Sequence, residues 1–257
     1  YFCQNFFAMS GQMFAGTGVA TITPFRDGAV DLKALDEILE YQISEGVDYL
    51  VCLGTTGEAI TLSHEETQSV LKRTIEVNAG RIPLVFGIFG GNNTAFLANK
   101  LKHYDLNGVD AILSSSPAYN KPTQPGIIAH YQALADVSSR PIIIYNVPGR
   151  TGTAIAPDTT MTLAKIPEII GIKDATGDLV QATYLSKHLP DDFLLLSGDD
   201  PTALPFIACG GHGVISVIAN AYPRMFSRMV RDALAGDFAS ARAIHLALSD
   251  IHPWLYA

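Results

Sequence analysis

The chain has 257 residues, of which 48% are hydrophobic and 16% charged, so it can bury a large core and is not an intrinsically disordered protein. Its length is typical of a single α/β barrel. The net charge of −8 argues against binding to nucleic acid or to an anionic membrane surface, because both require clustered Lys and Arg. No apolar run reaches the roughly 20 residues that span a bilayer.

The cysteines and the first residues bear on the cellular setting. Cys3, Cys52 and Cys209 are odd in number and far apart, which indicates neither a disulfide framework nor a zinc site. We therefore expect a cytoplasmic protein. Residues 1–8 are rich in aromatic side chains and lack the basic flank of a signal peptide. We interpret them as a remnant outside the fold, which then begins at Met9.

From Gly18 onward, short apolar runs rich in β-branched residues alternate with longer amphipathic segments. The eight runs predict strands at Gly18–Phe25, Tyr49–Gly54, Ile82–Phe89, Ala111–Pro117, Pro141–Pro148, Ile169–Ala175, Phe193–Asp199 and Gly213–Asn220. The amphipathic segments predict helices at Asp31–Glu45, His64–Asn78, Asn93–Leu106, Ile127–Ser138, Pro157–Ile166, Leu179–His188, Thr202–Cys209, Arg224–Ala235 and Asp237–Asp250. Predicted helix N-caps are Asp31, Ser63 with Glu66 in a capping box, and Asp158.

Apolar strands separated by helices indicate a parallel sheet covered on both faces. An open doubly wound sheet usually carries a glycine-rich dinucleotide fingerprint after its first strand, and the segment Thr21–Phe25 has none. We therefore predict an α/β fold with a (β/α)₈ TIM barrel over residues 9–235. Residues 236–257 would begin a C-terminal helical region that is short, so we expect further helices beyond it.

One lysine stands out because it interrupts an apolar run. Lys173 lies in the segment Ile169–Thr176, which otherwise reads as a buried strand. Burial among isoleucines disfavours a charged amine, and a neutral amine forms a Schiff base with a carbonyl group. The alternative is that Lys173 reaches out of the strand end and pairs with a carboxylate such as Asp174. The segment alone does not decide between them.

Polar residues also follow other predicted strands, at the end of a barrel where active sites lie. Thr55 and Thr56, between two glycines, offer backbone N–H groups to a carboxylate or form an ordinary turn. Tyr145 directs its hydroxyl to the mouth or packs on the rim. Arg150 holds a carboxylate or forms a surface ion pair. The glycine-rich segment 90–92 belongs to the same rim. Because these residues include no histidine, we do not expect a hydrolytic triad.

Two further features allow other chemistry. Asp199 and Asp200 could bind a metal, but no third ligand stands at suitable spacing, so we predict that they cap the next helix and that there is no metal site. Gly210, Gly211 and Gly213 could cradle a phosphate group, as in many barrels.

Several of these segments share motifs with a known family. They are Gly54–Glu58, Ser116–Gln124, Tyr145–Gly152, Gly171–Gly177, Leu196–Asp200 and Gly210–Ser216. Together they resemble the dihydrodipicolinate synthase and N-acetylneuraminate lyase family of pyruvate-dependent class I aldolases. The resemblance runs from about Gly16 to the end of the chain.

The resemblance implies a role for each matching residue. Lys173 would form a Schiff base with pyruvate, with no separate cofactor. Thr55, Tyr145 and Tyr119 would relay protons, with Tyr119 reaching into the site of a neighbouring subunit. Thr56 would hold the pyruvate carboxylate.

The remaining implied residues concern the pocket and the second substrate. Gly198 and Ile215 would line the pocket, and Arg150 would bind the carboxylate of L-aspartate 4-semialdehyde. The product would be 4-hydroxy-tetrahydrodipicolinate, a precursor of diaminopimelate and lysine. Family members of this kind are homotetramers built from dimers, which we expect here as well.

The same lysine, tyrosine and threonine motifs occur in N-acetylneuraminate lyase and in keto-deoxy sugar acid aldolases. Arg150 favours the charged semialdehyde over a sugar acid. More remote alternatives are a non-catalytic barrel that binds a keto acid and a phosphate-sugar enzyme that uses Gly210–Gly213. Ala118, Thr67 and Phe96 replace residues common in members inhibited by lysine, so we expect weak or no feedback inhibition by lysine.

Overall fold

The computed structural model describes residues 13–88 and 92–255. The predicted remnant at residues 1–8, the end of the predicted third strand at Phe89, and the rim residues Gly90 and Gly91 lie outside this range. Within it, no helix combines the length and the apolar character needed to cross a bilayer.

Eight parallel strands close into a barrel, as predicted. They are β1 (Gly16–Ala20), β4 (Tyr49–Cys52), β5 (Leu84–Ile88), β6 (Ala111–Ser115), β7 (Ile142–Asn146), β8 (Ile169–Asp174), β9 (Leu194–Ser197) and β10 (Gly213–Ser216). Each strand pairs with the next along the chain, and β1 pairs with both β4 and β10, which closes the ring.

The first predicted strand, Gly18–Phe25, was placed too late in the chain. Strand β1 ends at Ala20, and the following residues form a short antiparallel hairpin of β2 (Phe25–Arg26) and β3 (Ala29–Val30). Its turn uses Asp27 and Gly28, both with positive φ (53° and 81°). An Asp-Gly pair is a strong hairpin signal in a sequence.

Helices connect the strands and cover the barrel. The described helices are α1 (Leu32–Ser44), α2 (His64–Asn78), α3 (Thr94–His103), α4 (Gln124–Ala135), α5 (Pro148–Thr151), α6 (Pro157–Leu163), α7 (Leu179–His188), α8 (Ala203–Ala208), α9 (Pro223–Leu234) and α10 (Phe238–Leu248). A 3₁₀ turn at Ile218–Asn220 follows β10, and another at Ser249–Trp254 follows α10.

The predicted N-caps are confirmed for two helices and wrong for a third. The Asp31 side chain accepts the Ala34 amide, and Ser63 and Glu66 form the capping box of α2. Helix α6 begins at Pro157 without a side-chain cap, and Asp158 lies inside its first turn. Proline is well suited to the first helical position, so it sets the start of this helix.

Apolar side chains form two layers on either side of the strands. The inner layer fills the barrel and includes Phe14, Tyr49, Val85, Leu113, Ile143 and Leu196. The outer layer joins the strands to the helices and includes Leu35, Leu50, Phe86, Ile112, Ile144 and Leu195. A filled interior leaves space for a ligand only at the ends of the barrel.

Candidate active site

A bulge in β8 determines which way Lys173 points. Ile142 of β7 pairs with Ile169, whereas Ile143 pairs with Gly171, so β8 contains one extra residue at this point. Paired residues on neighbouring strands face the same side, and Ile143 belongs to the inner layer. The extra residue therefore turns Lys173 into the barrel, since a shift of one residue reverses the facing of a strand.

Lys173 lies beside Tyr145 at the carboxyl end of the barrel. The two residues pair between β7 and β8, and each is only 5% exposed. The amine nitrogen Nζ of Lys173 lies 4.4 Å from the centre of the Tyr145 ring. Of the two interpretations that the segment leaves open, the structure shows the buried lysine, which does not reach out of the strand end.

A cavity of about 320 Å³ opens over this lysine. Its lining residues are Thr55, Thr56, Tyr145, Val147, Gly149, Arg150, Lys173, Ala175, Gly198, Asp199 and Val217. The structure thus brings together six of the eight predicted site residues: Lys173, Tyr145, Thr55, Thr56, Arg150 and Gly198.

Gly198 leaves room for the lysine side chain. A β-carbon at this position would lie 2.9 Å from Cε of Lys173 and 2.8 Å from Cβ of Ala175, which is closer than real contacts allow. The Gly198 amide also donates to the Asp174 carbonyl, at 2.6 Å. Any larger residue at position 198 would displace Lys173.

The loop after β4 presents both threonines to the cavity. It begins at Leu53 and includes Glu58, and both residues have positive φ (56° and 54°), a strained conformation for non-glycine residues. The Glu58 amide donates to the Thr55 carbonyl at 3.0 Å. The Thr23 hydroxyl donates to the Gly57 carbonyl at 2.7 Å and ties the loop to the segment after β1.

Arg150 is carried by the short helix α5, which follows β7 directly. Pro148 occupies its first turn, and the Arg150 amide donates to the Val147 carbonyl at 2.9 Å. The Arg150 side chain is exposed at the mouth of the cavity. It is therefore accessible to an anionic ligand that enters from solvent.

Tyr119 and Ile215 do not line this cavity. Tyr119 is 86% exposed and has a φ of 70°, and its amide donates to the Thr151 carbonyl at 3.1 Å. Ile215 is buried in the inner layer beside Gly18 of β1, and the residue of this segment that reaches the cavity is Val217.

The two consecutive aspartates have different roles, and neither caps the next helix. Asp199 lines the cavity and accepts the Thr202 hydroxyl at 2.7 Å, in the turn before α8. Asp200 instead accepts the amides of Val217 and Ile218, at 2.8 and 3.0 Å. The prediction that these aspartates cap the next helix is therefore wrong for both: the N-cap residue of α8 is Thr202, with no side-chain cap. Buried amides after β10 bind the Asp200 carboxylate instead.

Burial raises the pKa of Asp200, although the Ser216 hydroxyl, the two amides and the positive charge of Lys173 act in the opposite direction. Across the described residues, no group of three His, Cys, Asp or Glu side chains is arranged to hold a metal ion.

The glycines proposed to cradle phosphate lie at the wrong end of the barrel. Gly210 and Gly211 precede β10, and Gly213 is its first residue, so all three lie at the amino end, away from the cavity. A β-carbon at Gly213 would lie 2.1 Å from the Gly16 carbonyl oxygen. This glycine therefore allows β1 and β10 to approach each other closely.

The family model for the dihydrodipicolinate synthetase family matches residues 13–257. The 4-hydroxy-tetrahydrodipicolinate synthase of Flavobacterium psychrophilum is 50% identical over 92% of this chain and 81% of its own length. The corresponding enzyme of Cytophaga hutchinsonii is 46% identical over 95% of this chain and 82% of its own.

A solved structure shows the same relationship. The dihydrodipicolinate synthase of Acinetobacter baumannii, determined in complex with pyruvate, has a TM-score of 0.91 and 42% sequence identity. The match covers 95% of this chain and 84% of that protein. The chain therefore belongs to the dihydrodipicolinate synthetase family.

Proposed function

We propose that this protein condenses pyruvate with L-aspartate 4-semialdehyde to give 4-hydroxy-tetrahydrodipicolinate. The observation that carries the proposal is the buried Lys173, whose amine lies over the Tyr145 ring at the base of an open cavity. A lysine in such a place is suited to covalent catalysis through a Schiff base, so no separate cofactor is required. The close relatives named as synthases support the same reaction.

The chemistry begins with attack of the Lys173 amine on the keto carbon of pyruvate. A C–N bond forms and one proton is taken up, so that the keto oxygen leaves as water and the nitrogen becomes a cationic iminium. The iminium withdraws electrons, so the methyl group loses a proton and an enamine results. The enamine carbon attacks the aldehyde carbon of the second substrate, the aldehyde oxygen takes up a proton to become the hydroxyl group, and the lysine nitrogen returns to an iminium. The substrate amine then displaces the lysine nitrogen, which closes the ring and frees Lys173.

The lining residues supply the other functions in this proposal. Tyr145 and Thr55 move protons between the substrates and solvent. Thr56 holds the pyruvate carboxylate through its hydroxyl and backbone, and Gly198 leaves the space in which the lysine moves. Arg150, exposed at the mouth, binds the carboxylate of the semialdehyde.

Tyr119 would complete the proton relay from a second copy of the chain, because it projects from its own barrel and is 86% exposed. We therefore propose an assembly of dimers, a homotetramer, in the cytoplasm, with a role in lysine and diaminopimelate biosynthesis. Ile215 would shape the site from the inner layer, behind Val217.

Borohydride trapping tests the proposal. The protein is incubated with pyruvate, reduced with borohydride, and digested for peptide mapping by mass spectrometry. We expect one reduced pyruvyl group, on Lys173. Absence of an adduct in a folded protein would contradict the proposed chemistry. Parallel assays with aspartate 4-semialdehyde, N-acetylmannosamine and short sugar aldehydes identify the second substrate.

A further inference from the structure

One acidic residue, Asp199, lines the cavity over Lys173. Among the described residues that line this cavity, it alone carries a carboxylate, and the charged residues beside it are the cations Lys173 and Arg150. The proposed reaction gives both cations a role but leaves Asp199 without one. A carboxylate in a site for anionic substrates repels them, so its presence is explained best by a ligand that also carries a positive charge.

The turn after β9 holds Asp199 in a fixed position. Its amide donates to the Ser197 hydroxyl at 3.2 Å, and that hydroxyl donates to the Asp199 carbonyl at 3.0 Å. In the half-buried side chain, Oδ2 accepts the amide and the hydroxyl of Thr202, at 3.2 and 2.7 Å. Oδ1 has no hydrogen-bond partner among the residues that the structure describes. One carboxylate oxygen is therefore left for a ligand.

The barrel places Asp199 and Arg150 on opposite sides of the lysine. Strand β8, which carries Lys173, lies between β7 and β9. Arg150 follows β7 and Asp199 follows β9, both at the carboxyl end. Within the described part of the chain, neither side chain forms an ion pair. Both charges are therefore available to a ligand that reaches the lysine.

We propose that Asp199 is a specificity-determining residue that binds the ammonium group of the aldehyde substrate. The inference rests on the proposed function, because the semialdehyde carries an ammonium group and a carboxylate on the same carbon atom. Arg150 binds the carboxylate, and Oδ1 of Asp199 accepts a charge-assisted hydrogen bond from the ammonium group. The two opposite charges thus select an amino aldehyde over an aldehyde without a cationic group.

A comparison of two ligands tests the inference on the wild-type protein. Succinic semialdehyde has the same carbon chain, aldehyde and carboxylate as the proposed substrate but no amino group. We expect its inhibition constant, measured in competition with aspartate 4-semialdehyde, to exceed the KM of that substrate by about tenfold or more, because one charge-assisted hydrogen bond is missing. Equal values overturn the inference.

The substitution Asp199→Asn tests the charge separately from the shape. Asparagine keeps a carbonyl oxygen that accepts the Thr202 amide and hydroxyl, but it has no negative charge. We expect KM for aspartate 4-semialdehyde to rise about tenfold, and the inhibition constant of succinic semialdehyde not to rise. An equal loss for both ligands indicates a merely structural role and overturns the inference, as does an unchanged KM.

Asp192→Asn is the matched control. Asp192 is exposed and precedes β9, so it lies at the amino end of the barrel. Its substitution removes the same charge from the protein and should leave both constants unchanged. Circular dichroism establishes that the variants are folded. If Asp199→Asn does not fold, Asp199→Ser takes its place with the same expected shift, and absence of that shift overturns the inference.

Pyruvate trapping separates this inference from the proposed function. Pyruvate has no cationic group, so borohydride trapping on Lys173 should be no weaker in Asp199→Asn than in the wild type. A wild-type protein without an adduct contradicts the function itself. A wild-type protein that forms the adduct and the product, together with unchanged discrimination between the two aldehydes in folded Asp199→Asn, overturns only the role of Asp199.

Discussion

The two ends of the barrel are built differently. At the carboxyl end, a cavity exposes Arg150 to solvent and contains the buried Lys173. At the amino end, the ring of Phe14 packs edge-on against Tyr49, with 5.6 Å between ring centres, and both side chains are fully buried. One end is open and rich in reactive groups, and the other is closed by packing.

Two charged side chains at the amino end, Asp48 and Arg231, contact the backbone and each other. Asp48 accepts the Thr17 amide at 2.8 Å and forms an ion pair with Arg231. Arg231 also donates to the Gly46 carbonyl. These contacts join β1, the start of β4 and helix α9. Reactive side chains therefore lie at the carboxyl end of the barrel, and contacts that stabilise the fold lie at the amino end, as is typical of this architecture.

The largest effect on activity is expected from removal of the Lys173 amine at the carboxyl end. Lys173→Ala should reduce synthase activity by about 10⁴-fold or more, because the covalent step is lost, while thermal unfolding changes little. Steady-state kinetics and borohydride trapping measure the effect. Lys165→Ala, at an exposed lysine after α6, is the control and should remain active. Substantial activity in Lys173→Ala would require a different mechanism, such as phosphate-sugar chemistry.

At the amino end, we expect a substitution to reduce stability and to leave the reaction of Lys173 with pyruvate unchanged. Tyr49→Ala empties a fully buried site in the inner layer and should lower the free energy of unfolding by about 3–5 kcal/mol. Urea denaturation measures this loss. Tyr49→Phe keeps the ring and should cost much less. In the folded fraction of Tyr49→Ala, trapping of pyruvate on Lys173 should match the wild type, and loss of trapping there would contradict the separation of the two ends.

A third substitution separates the binding of the two substrates at the carboxyl end. Arg150→Ala should raise KM for the semialdehyde about 100-fold, as expected for the loss of a charge-assisted hydrogen bond. Trapping of pyruvate should be unaffected, because Arg150 lies at the mouth and not beside the lysine. Arg150→Lys keeps the charge but not the bidentate geometry, so its KM for the semialdehyde should lie between those of the wild type and Arg150→Ala. If Arg150→Ala weakened pyruvate binding as much as semialdehyde binding, Arg150 would instead contact pyruvate, which contradicts this prediction.

The sequence predicted the barrel because apolar strands and amphipathic helices alternate in it without interruption. Helices α2 and α7 have the predicted limits to the residue, since clear caps or polar ends delimit them. The hairpin at Asp27-Gly28 was missed, although its turn signal is present in the sequence. Local pattern thus predicts the elements well where end signals are strong.

Six of the eight predicted site residues line the cavity, but the sequence did not predict how they are arranged. The bulge that turns Lys173 inward depends on how β8 pairs with β7, and no local pattern in Ile169–Asp174 reveals it. Likewise, the Asp200 contact with Val217 and Ile218 joins segments that are adjacent only in the folded barrel. Long-range pairing decides both features, so neither follows from the segment alone.

The smallest expected effect concerns lysine as an inhibitor. A crevice of about 410 Å³ lies beside the start of α2, and its lining residues are His64, Phe96, Asn99, Lys100, His103 and Tyr104. This lining contains cationic and aromatic groups but no carboxylate. Phe96 is 60% exposed there, and the Thr67 hydroxyl is engaged by the Ser63 carbonyl at 2.8 Å.

A cationic effector therefore finds no charge partner in this crevice, and Lys100 repels it. We expect synthase activity to change by less than about twofold at millimolar lysine. Phe96→Glu supplies the missing carboxylate and should increase sensitivity to lysine, whereas Phe96→Gln, without the charge, should not. Strong inhibition of the unaltered protein would mean that lysine binds elsewhere, in a site formed by other groups.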